Sequence, residues 1–403
     1  MGQPIFITGA GIISAIGLNK QEVLSSLLAG KSGIADVRYL NTVHREFPVG
    51  EVKLTDEQMI QMLDIKPDAV TTRTSLMGML AMKEALNEAN LTCEDIHRAA
   101  FVSGTTVGGM DKIEQYYLDF VNNDNKNDYI AVHDCGTCSE MICDYFGDFA
   151  FVTSVSTACS SAANAIIRGA AMIRAGLFDI AVVGGSECIT KFHLNGFNSL
   201  KILDTGLCRP FDETRSGLNL GEGAAYLVLE SDDSVRRRNV KPLSVLAGYG
   251  NVCDAYHQTA SSPEGEGPYR AMREALEDAG LNVSNIDYVN AHGTATPNND
   301  LTESMALKRL FSDKIPPVSS TKAFTGHTTS ATGSIEAVIC ILAIRNQFLP
   351  VNLNWKNQME NGITPVTGMH PEKPVTNVLC NSFGFGGNDS SLLLSSSDNY
   401  EKE

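Results

Sequence analysis

"AMKEALNEANLTCEDIHRAAFVSGT", residues 81–105, closely matches "AMREALEDAGLNVSNIDYVNAHGT", residues 271–294, when one gap is allowed. In both copies apolar residues recur at helical spacing, as at Met82, Ala85 and Leu86, and a polar link leads to a short strand-like run ending in Gly-Thr. A helix that feeds a strand therefore occurs twice, 190 residues apart. Such a repeat predicts two α/β halves, with chance similarity between amphipathic helices as the alternative.

The halves also correspond, less closely, in their second parts. Residues 155–179, "VSTACSSAANAIIRGAAMIRAGLFD", and residues 319–349, "SSTKAFTGHTTSATGSIEAVICILAIRNQFL", each contain a strand-like end, a loop of small residues and a long apolar helix without a charged face. A helix that is apolar nearly all round has to be buried. We therefore predict that the halves, 1–240 and 241–403, share two buried central helices, with a boundary near "RRRNVKPL" at 236–243.

The composition is that of a globular protein, and it disfavours several classes of function. The 403 residues are 43% hydrophobic and 19% charged, and the formal charge of −16 makes nucleic acid an unsuitable partner. The opening "MGQPIFITGAGIISAIG" has no basic segment ahead of its apolar run, unlike a signal peptide. The most continuous apolar run, residues 337–344, is too short to span a bilayer. These observations predict a cytoplasmic protein without membrane insertion.

Ten cysteines without a recognisable secretory signal predict free thiols in a reducing compartment. One cluster, "HDCGTCSEMIC" at residues 133–143, contains the C-x-x-C pair Cys135 and Cys138. A structural zinc site requires a second pair at similar spacing, and the sequence has none, so we predict no metal site. Because buried cysteines often serve as small apolar residues, the role of this pair stays open between packing and a metal or redox function.

Cys159 is set apart from the other cysteines by its position in "TACSSAANAI", residues 157–166. It follows "FVTSVSTA", a β-branched run that predicts a buried strand, and it precedes a predicted helix. Free backbone N–H groups and the positive end of the helix dipole favour a thiolate at such a junction. The small neighbours leave room for a substrate carbonyl, so we predict a nucleophile rather than a packed core cysteine.

Two histidines follow predicted strands in the second half. His292 lies in "NAHGTATP", and His327 lies in "STKAFTGHTTSATGS", five residues after Lys322. Because α/β proteins place their active sites at the carboxyl ends of strands, we expect both rings near Cys159, although an isolated histidine is more often structural. Of the other histidines, only His257 in "DAYH" has a setting that could place it near the site.

The tail "NVLCNSFGFGGNDSSLLL", residues 377–394, predicts two strands joined by a Gly-rich turn that carries Phe383 and Phe385. By itself such a turn is a weak signal, because glycines serve many loops. Beside a thiol nucleophile, however, it can supply a backbone N–H to an oxyanion hole and an aromatic gate that moves.

Nine segments, in the same order and at approximately the same spacing, make the chain similar to the β-ketoacyl-acyl-carrier-protein synthases of the elongating class. The segments are "FITGAGIISAIG", "GTTVGG", "TACSSA", "VVGGSE", "CRPFDETRSGLNLGEGAAYLVLE", "DAYH", "NAHGTATP", "TKAFTGH" and "NSFGFGG". The resemblance implies a thiolase-like five-layered αβαβα fold made of two duplicated halves. It also implies an acyltransferase that condenses an acyl thioester with malonyl-acyl-carrier protein, with loss of CO₂, in fatty acid or in specialised polyene or polyketide biosynthesis.

The resemblance assigns roles to individual residues. Cys159 would take the acyl group, while His292 and His327 would bind the malonyl thioester carbonyl and stabilise the enolate formed as CO₂ leaves. Lys322 would position this network beside the buried carboxylate of Glu336, the N–H groups of Cys159 and Phe385 would form the oxyanion hole, and Phe385 would also be the gate. Thr294 and Thr296 would bind the pantetheine arm, and Val107 and Phe383 would line the acyl pocket. Arg209 and Lys66 would dock the carrier protein, with Arg73 and Lys126 as weaker docking candidates. Docking or a solvated surface role is equally compatible with Lys66, Arg73 and Lys126. No metal or redox cofactor is expected, since the substrates travel on phosphopantetheine.

The expected partners are an acyl carrier protein and a second subunit, in a homodimer or a heterodimer with a related chain. Two departures bear on the substrate. The final loop has "GFGGND" where the family usually has "GFGGTN", and residues 116–141 fit poorly in a segment that normally shapes the acyl pocket and the dimer contact. Acyl chain length and pathway therefore stay open.

Two other functions stay open at this point. One is a catalytically silent partner subunit that sets chain length, although such subunits lose the cysteine that is present here as Cys159. The other is a thiol protein regulated by metal or oxidation through "CGTC" at residues 135–138.

Overall fold

The computed structural model of the protein describes residues 3–122 and 124–400. Ten strands occur in this part of the chain: β1 Ile5–Ser14, β2 Ala100–Gly104, β3 Phe151–Val155, β4 Ile180–Glu187, β5 Gly223–Glu230, β6 Ser244–Cys253, β7 Tyr288–Asn290, β8 Val318–Ser319, β9 Asn377–Gly384 and β10 Asn388–Ser395.

Fourteen α-helices accompany the strands in the same residues: α1 Lys20–Leu28, α2 Asp56–Met62, α3 Arg73–Ala89, α4 Cys93–His97, α5 Met110–Tyr116, α6 Asp128–Ala131, α7 Cys135–Phe146, α8 Ser161–Arg174, α9 Lys191–Ser199, α10 Asp232–Arg238, α11 Glu266–Ala279, α12 Pro297–Phe311, α13 Lys322–Thr325 and α14 Thr332–Asn346. None of these helices is both long and apolar enough to cross a bilayer.

The strands are hydrogen-bonded in the order β3-β2-β4-β5-β1-β6-β10-β9-β7-β8. Counted outward from the centre, β1, β5, β4, β2 and β3 on one side correspond to β6, β10, β9, β7 and β8 on the other. The orientation repeats as well, because the first two pairings on each side are antiparallel and the last two are parallel. β1 and β6 join the two sides, with Phe6 opposite Val245. The sheet therefore has the predicted duplication.

Each repeated helix packs on a strand through glycine. A Cβ at Gly11 of β1 would lie 2.0 Å from the carbonyl oxygen of Ala81 in α3, and a Cβ at Gly250 of β6 would lie 2.2 Å from that of Ala271 in α11. The two alanines occupy the same position in the repeated sequence, so the same close approach of helix to strand is made twice. The residues of α3 that the periodicity assigns to the core are all buried: Met82, Ala85, Leu86 and Ala89.

Two central helices lie between the two sides of the sheet. α14 contacts β1, β4 and β5 of the first side and β9 and β10 of the second, and α8 contacts β2 and β4 as well as β10. Residues Thr332–Ile344 of α14 are all buried, as its apolar sequence predicts. α3 and α7 cover the first side from outside, and α11, with α12 packed beside it, covers the second. The predicted five-layered fold of two duplicated halves is confirmed, and the boundary near residue 240 stays a prediction.

Two predictions about the region next to Cys159 need correction. β3 is predicted to be buried, but it is the edge strand of the sheet and is half-buried along its whole length, because it has a neighbouring strand on one side only. α8 is predicted to lack a charged face, but Arg168 is exposed and Asn164 and Ile167 are half-buried. Of the two central helices, α14 is the one enclosed on all sides.

Candidate active site

Cys159 lies in the tight turn between β3 and α8. Ala158, directly before it, has a left-handed backbone with φ of 53°, which a residue other than glycine adopts only when its surroundings enforce it. Two hydroxyl groups do so here. Ser160 donates to the carbonyl oxygen of Thr157 at 2.7 Å, and Ser161 donates to that of Ala158 at 2.7 Å. The result is a fixed turn that places the Cys159 side chain in the wall of a cavity.

His292 is held through its backbone by a buried carboxylate. The N–H groups of His292 and Gly293, just after β7, donate to Glu303 on α12 at 2.9 and 2.8 Å. The side-chain amide of Asn381 on β9 donates to the same carboxylate at 3.1 Å. Burial raises the pKa of Glu303 to about 7, although these donors oppose the shift. Glu303 thus ties the loop of His292 to α12 and β9.

His327 is fixed on both its backbone and its ring. It lies two residues after α13, where its N–H donates to the carbonyl oxygen of Asn219 at 2.7 Å and its own carbonyl accepts from Gly221 at 2.9 Å. Nδ1 of the ring lies 3.1 Å from Oγ1 of Thr332, the first residue of α14. These contacts leave Nε2 directed towards the turn of Cys159.

The structure brings the thiol and both imidazoles together. Nε2 of His327 lies 3.1 Å from Sγ of Cys159. The rings of His292 and His327 meet edge-on, with centroids 5.3 Å apart and planes at 83°. The sulfur and one nitrogen of each ring all lie within 4.8 Å of one another, and the three side chains are buried. A single reacting group could therefore contact all three.

The sulfur rests as a thiol, which differs from the thiolate that the helix start predicts. Burial raises the pKa of Cys159 to about 11. The charge of Lys322 and the backbone N–H groups of Phe385 and Cys159 lower it, as the sequence leads one to expect, but they do not offset the loss of water. Ionisation of this thiol at neutral pH therefore requires a base.

Both histidines are neutral and able to act as that base or as hydrogen-bond donors. Burial, with the charge of Lys322, holds the pKa of His292 and that of His327 well below the usual range. Lys322 itself is buried and donates from Nζ to Oε1 of Glu336 at 2.6 Å. Burial raises the pKa of Glu336, and its Oε2 has no hydrogen-bond partner in the described chain.

A cavity of about 240 Å³ gives access to the sulfur, and several predicted residues line it: Thr294, Thr296, Phe383 and Phe385, beside Cys159, His292 and His327. The hydroxyl oxygens of Thr294 and Thr296 are 2.9 Å apart. Phe383 is buried, with its ring centroid 5.8 Å from that of His292. Phe385 is 36% exposed and stacks on Phe197, with centroids 6.0 Å apart, so it stands at the entrance.

Other predicted residues lie elsewhere. Val107 is buried in the hydrophobic cluster that includes Ile142, and it does not line this cavity. Arg209 is half-buried and its guanidinium is 3.0 Å from the carboxylate of Asp204. Lys66 is exposed.

The two weaker docking candidates, Lys126 and Arg73, differ in exposure. Lys126 is exposed, near the rings of Tyr116 and Tyr129. Arg73 is not available for docking, because it is buried and its guanidinium is 2.6 Å from the carboxylate of Glu222.

The remaining sequence candidates do not join the site. His257 is exposed and lies outside the cavity lining. Cys135 and Cys138 lie at the start of α7, and burial raises the pKa of both thiols. Within residues 3–122 and 124–400, only one group of three or more histidine, cysteine, aspartate or glutamate side chains is spaced to hold a metal ion. It consists of Cys159, His292 and His327.

Sequence reasoning missed three buried polar residues around the site. The sequence could have predicted that Glu303 is buried. It precedes Ala306 and Leu307 by three and four residues, which places all three side chains on the same buried face of α12. Glu187, at the end of β4, is fully buried and accepts hydrogen bonds from Thr105, Thr106 and Thr329. His193 lies 3.5 Å from Glu187 and contributes to the low pKa of His327. No sequence pattern marked His193.

This arrangement defines a class: an α/β protein of two duplicated halves in which a buried cysteine thiol lies beside two neutral imidazoles. Two family profiles match the chain, "Beta-ketoacyl synthase, N-terminal domain" at residues 2–234 and "Beta-ketoacyl synthase, C-terminal domain" at residues 243–356. The 3-oxoacyl-acyl-carrier-protein synthase 2 of Coxiella burnetii is 32% identical, with 97% of this chain and 98% of that protein covered. Synthase 1 of Haemophilus influenzae is 33% identical, with 96% and 98% covered.

Solved structures agree with these matches. A chain of "The ishigamide ketosynthase/chain length factor" superposes with a TM-score of 0.91 at 30% identity, covering 98% of this chain and all of the other. "Ketosynthase (ApeO) in Complex with its Chain Length Factor (ApeC) from Xenorhabdus doucetiae" gives a TM-score of 0.84 at 30% identity, with 98% of both chains covered. The chain belongs to the beta-ketoacyl synthase family, and it is an enzyme of the acyltransferase type.

Proposed function

We propose that this protein is a β-ketoacyl-acyl-carrier-protein synthase that joins an acyl group to a malonyl thioester with loss of CO₂. The observation that carries the proposal is the 3.1 Å contact between Sγ of Cys159 and Nε2 of His327, with the ring of His292 beside them at the end of one cavity. A thiol nucleophile with two neutral imidazoles suits chemistry in which negative charge develops on a thioester oxygen.

In the first half-reaction, Cys159 takes the acyl group from its carrier. Nε2 of His327 accepts the thiol proton as the sulfur attacks the thioester carbonyl, and the backbone N–H groups of Cys159 and Phe385 stabilise the oxyanion. The C–S bond to the pantetheine breaks, and the departing thiolate takes the proton from Nε2. The products are an acyl thioester on Cys159 and a free carrier thiol.

In the second half-reaction, the two imidazoles act as donors. Nε2–H groups of His292 and His327 hydrogen-bond to the malonyl thioester oxygen, so the enolate that remains when CO₂ leaves is stabilised. Its carbon attacks the acyl thioester, a C–C bond forms, and the Cys159 thiolate leaves and takes up one proton. Because CO₂ departs, the condensation is driven forward.

The substrates in this proposal are carried on the phosphopantetheine of an acyl carrier protein. Thr294 and Thr296 line the cavity and would hydrogen-bond to that arm, and Phe385 would move away from Phe197 to admit it. Lys66 and Arg209 remain the docking candidates, and Val107 the candidate for the acyl pocket. The second subunit is proposed to be another copy or a related chain, and the cytoplasmic location stays a prediction.

A silent partner subunit is the second candidate function. It is favoured by the two solved structures whose descriptions name a chain length factor beside a ketosynthase. The intact contact between Cys159 and His327, and the ion pair of Lys322 with Glu336, favour catalysis instead, because a subunit that only sets chain length has no need of them.

The decisive experiment incubates the protein with acyl-carrier proteins that bear acyl chains of graded length and then measures the protein's mass. We expect a single acyl adduct on the wild type, located on Cys159 by peptide mapping, and no adduct on Cys159→Ala. Cys93→Ala, at an exposed cysteine, is the matched control and should load like the wild type.

A second arm separates loading from condensation. His327→Ala should still acquire the adduct, at a lower rate, and should form no β-ketoacyl product when malonyl-carrier protein is added. A wild-type protein that stays unmodified at every chain length would support the silent partner, and full condensation by His327→Ala would remove the role given to that histidine.

A further inference from the structure

The proposed function gives Nε2 of His327 two opposite tasks. It accepts the thiol proton during acyl transfer, which requires the neutral tautomer with its hydrogen on Nδ1. It donates to the malonyl oxygen during condensation, which requires the hydrogen on Nε2. Whatever contacts Nδ1 therefore decides whether the ring can serve both half-reactions.

Nδ1 of His327 contacts a hydroxyl group. Oγ1 of Thr332 lies 3.1 Å from Nδ1, and Oγ1 of Thr328 lies 3.1 Å from Oγ1 of Thr332. All three side chains are buried, with 2% or less of their surfaces exposed. A hydroxyl can accept a hydrogen bond from Nδ1–H, or it can rotate and donate to a bare Nδ1, with Thr328 completing the pair in either direction.

The other histidine lacks such a contact. Nδ1 of His292 has no hydrogen-bond partner among the described residues. Nδ1 of His292 therefore lacks a partner whether or not it carries a hydrogen. At His327, Oγ1 of Thr332 can serve as the partner of Nδ1 in both tautomers. The difference fits the tasks, because only His327 lies within hydrogen-bond distance of the sulfur.

Resting on the function proposed above, we propose that Thr332 is a positioning residue that allows His327 to change tautomer between acyl transfer and condensation. Acyl transfer leaves the hydrogen on Nδ1. Nε2 then takes up a proton from solvent in the cavity, the imidazolium releases its Nδ1 proton to solvent, and the Thr332 hydroxyl turns from acceptor to donor, so the ring gains one proton and loses one.

Thr332 touches neither substrate nor the sulfur and acts through the imidazole. Thr332 is the first residue of α14, and that helix is enclosed between the two halves of the fold. The hydroxyl is therefore held in place at the start of a helix that is buried from Thr332 to Ile344.

The first test removes the hydroxyl and keeps the shape, as Thr332→Val. The imidazolium that forms when Nε2 takes the thiol proton carries a hydrogen on Nδ1, and in this variant that N–H has no acceptor. Acyl loading near neutral pH should therefore slow about tenfold, the equivalent of one hydrogen bond. Loading by the variant should then rise about tenfold per pH unit, as expected for attack by the free thiolate, while the wild type changes little. The KM for the carrier protein should stay unchanged.

Two further variants serve as controls. Thr332→Ser keeps the hydroxyl and should restore the wild-type rate and pH profile. Ser334 lies two residues further along α14, and among the described residues its hydroxyl donates to the carbonyl of Ala331 alone. Ser334→Ala should therefore load and condense normally. Thr332→Val that loads at the wild-type rate with the wild-type pH profile would overturn the inference.

A second measurement uses the unaltered protein, so it does not depend on the folding of a variant. Nitrogen NMR of ¹⁵N-histidine-labelled protein reports which ring nitrogen of His327 carries the hydrogen. We expect Nδ1–H in the free protein and Nε2–H in the acyl-enzyme. The same tautomer in both states would also overturn the inference, whereas a wild type that neither loads nor condenses would overturn the proposed function itself.

Discussion

At the residue scale, two opposing effects act on the pKa of the Cys159 thiol. Its position at the start of α8 supplies backbone N–H groups that favour the thiolate, while its burial raises the pKa to about 11. Burial prevails because the site excludes the water that would solvate the anion. The consequence is a thiol that keeps its proton at rest. In the function proposed above, it depends on His327, 3.1 Å away, to accept that proton.

Asp389 is a second residue whose state is set by burial. It is the second residue of β10, at the end of the "GFGGND" segment. Its side chain is 1% exposed, and neither of its carboxylate oxygens has a hydrogen-bond partner in the described chain. Burial, with the nearby carboxylates of Asp254 and Glu303, raises its pKa to about 8. The folded protein therefore holds a proton on Asp389 at neutral pH, whereas the unfolded chain releases it.

This difference predicts how stability depends on pH. Because the folded pKa lies above the ordinary value, the contribution of Asp389 to stability is greatest in acid and is lost as the pH rises from about 4 to about 8. Asp389→Asn stays neutral at every pH, so its melting temperature should exceed that of the wild type by several degrees at about pH 8 and by less at about pH 5.

Scanning calorimetry across this pH range measures the effect. Asp398→Asn, at an exposed carboxylate of the same chain end, is the control and should follow the wild type. A constant difference between Asp389→Asn and the wild type at all pH values would contradict a buried proton on Asp389.

At the scale of elements, the packing of each repeated helix depends on a glycine in the strand that it crosses. α3 crosses β1 so closely that a Cβ at Gly11 would meet the backbone of Ala81, and α11 repeats this contact with Gly250. The sequence repeat identifies both helices, but the glycines lie outside the quoted copies, and only the packed structure shows what they are for. Small residues on both partners let the backbones approach at van der Waals distance.

Gly11→Ala tests this packing. A methyl group 2.0 Å from a carbonyl oxygen forces α3 away from β1, so we expect a loss of about 2–3 kcal/mol in the free energy of unfolding. Denaturant titration followed by circular dichroism measures it.

Gly196→Ala is the matched control, because a Cβ at that helical position meets nothing within 4 Å. It should be neutral or slightly stabilising, since alanine favours a helix over glycine. Equal stability of Gly11→Ala and Gly196→Ala would mean that the helix is free to move.

At the scale of the whole molecule, the two halves share one core. The largest hydrophobic cluster joins Ile12 and Val183 of the first half with Ile339 of α14 and Leu392 of β10. α14 belongs to the second half by sequence, yet it packs on three strands of the first. Duplication of the sequence therefore does not imply two independent folding units.

Expression of residues 1–240 alone tests that conclusion. This fragment lacks α14 and exposes the inner face of β1, β4 and β5, so we expect it to lack a cooperative thermal transition. Mixing it with residues 241–403 should restore at least part of the transition. A fragment that melts cooperatively by itself, monitored by near-ultraviolet circular dichroism, would show that the halves are separate domains.

The sequence by itself determined the duplicated α/β halves, the buried helix α14 and the grouping of Cys159 with His292 and His327, whose catalytic roles stay a proposal. These follow from local patterns: helical periodicity, small residues at a strand-to-helix junction, and motif order. Burial of β3 was predicted wrongly, because a strand's place at the edge of a sheet depends on which other strands pair with it.

Only the tertiary structure decided the protonation of Cys159, the support of His292 by Glu303 and the contact of His327 with Thr332. Cys159 and His327 are 168 residues apart in the chain, and their separation of 3.1 Å exists only after both halves have packed around α14. A pKa depends on the water and charges that surround a group in the folded state, and no stretch of sequence contains that information.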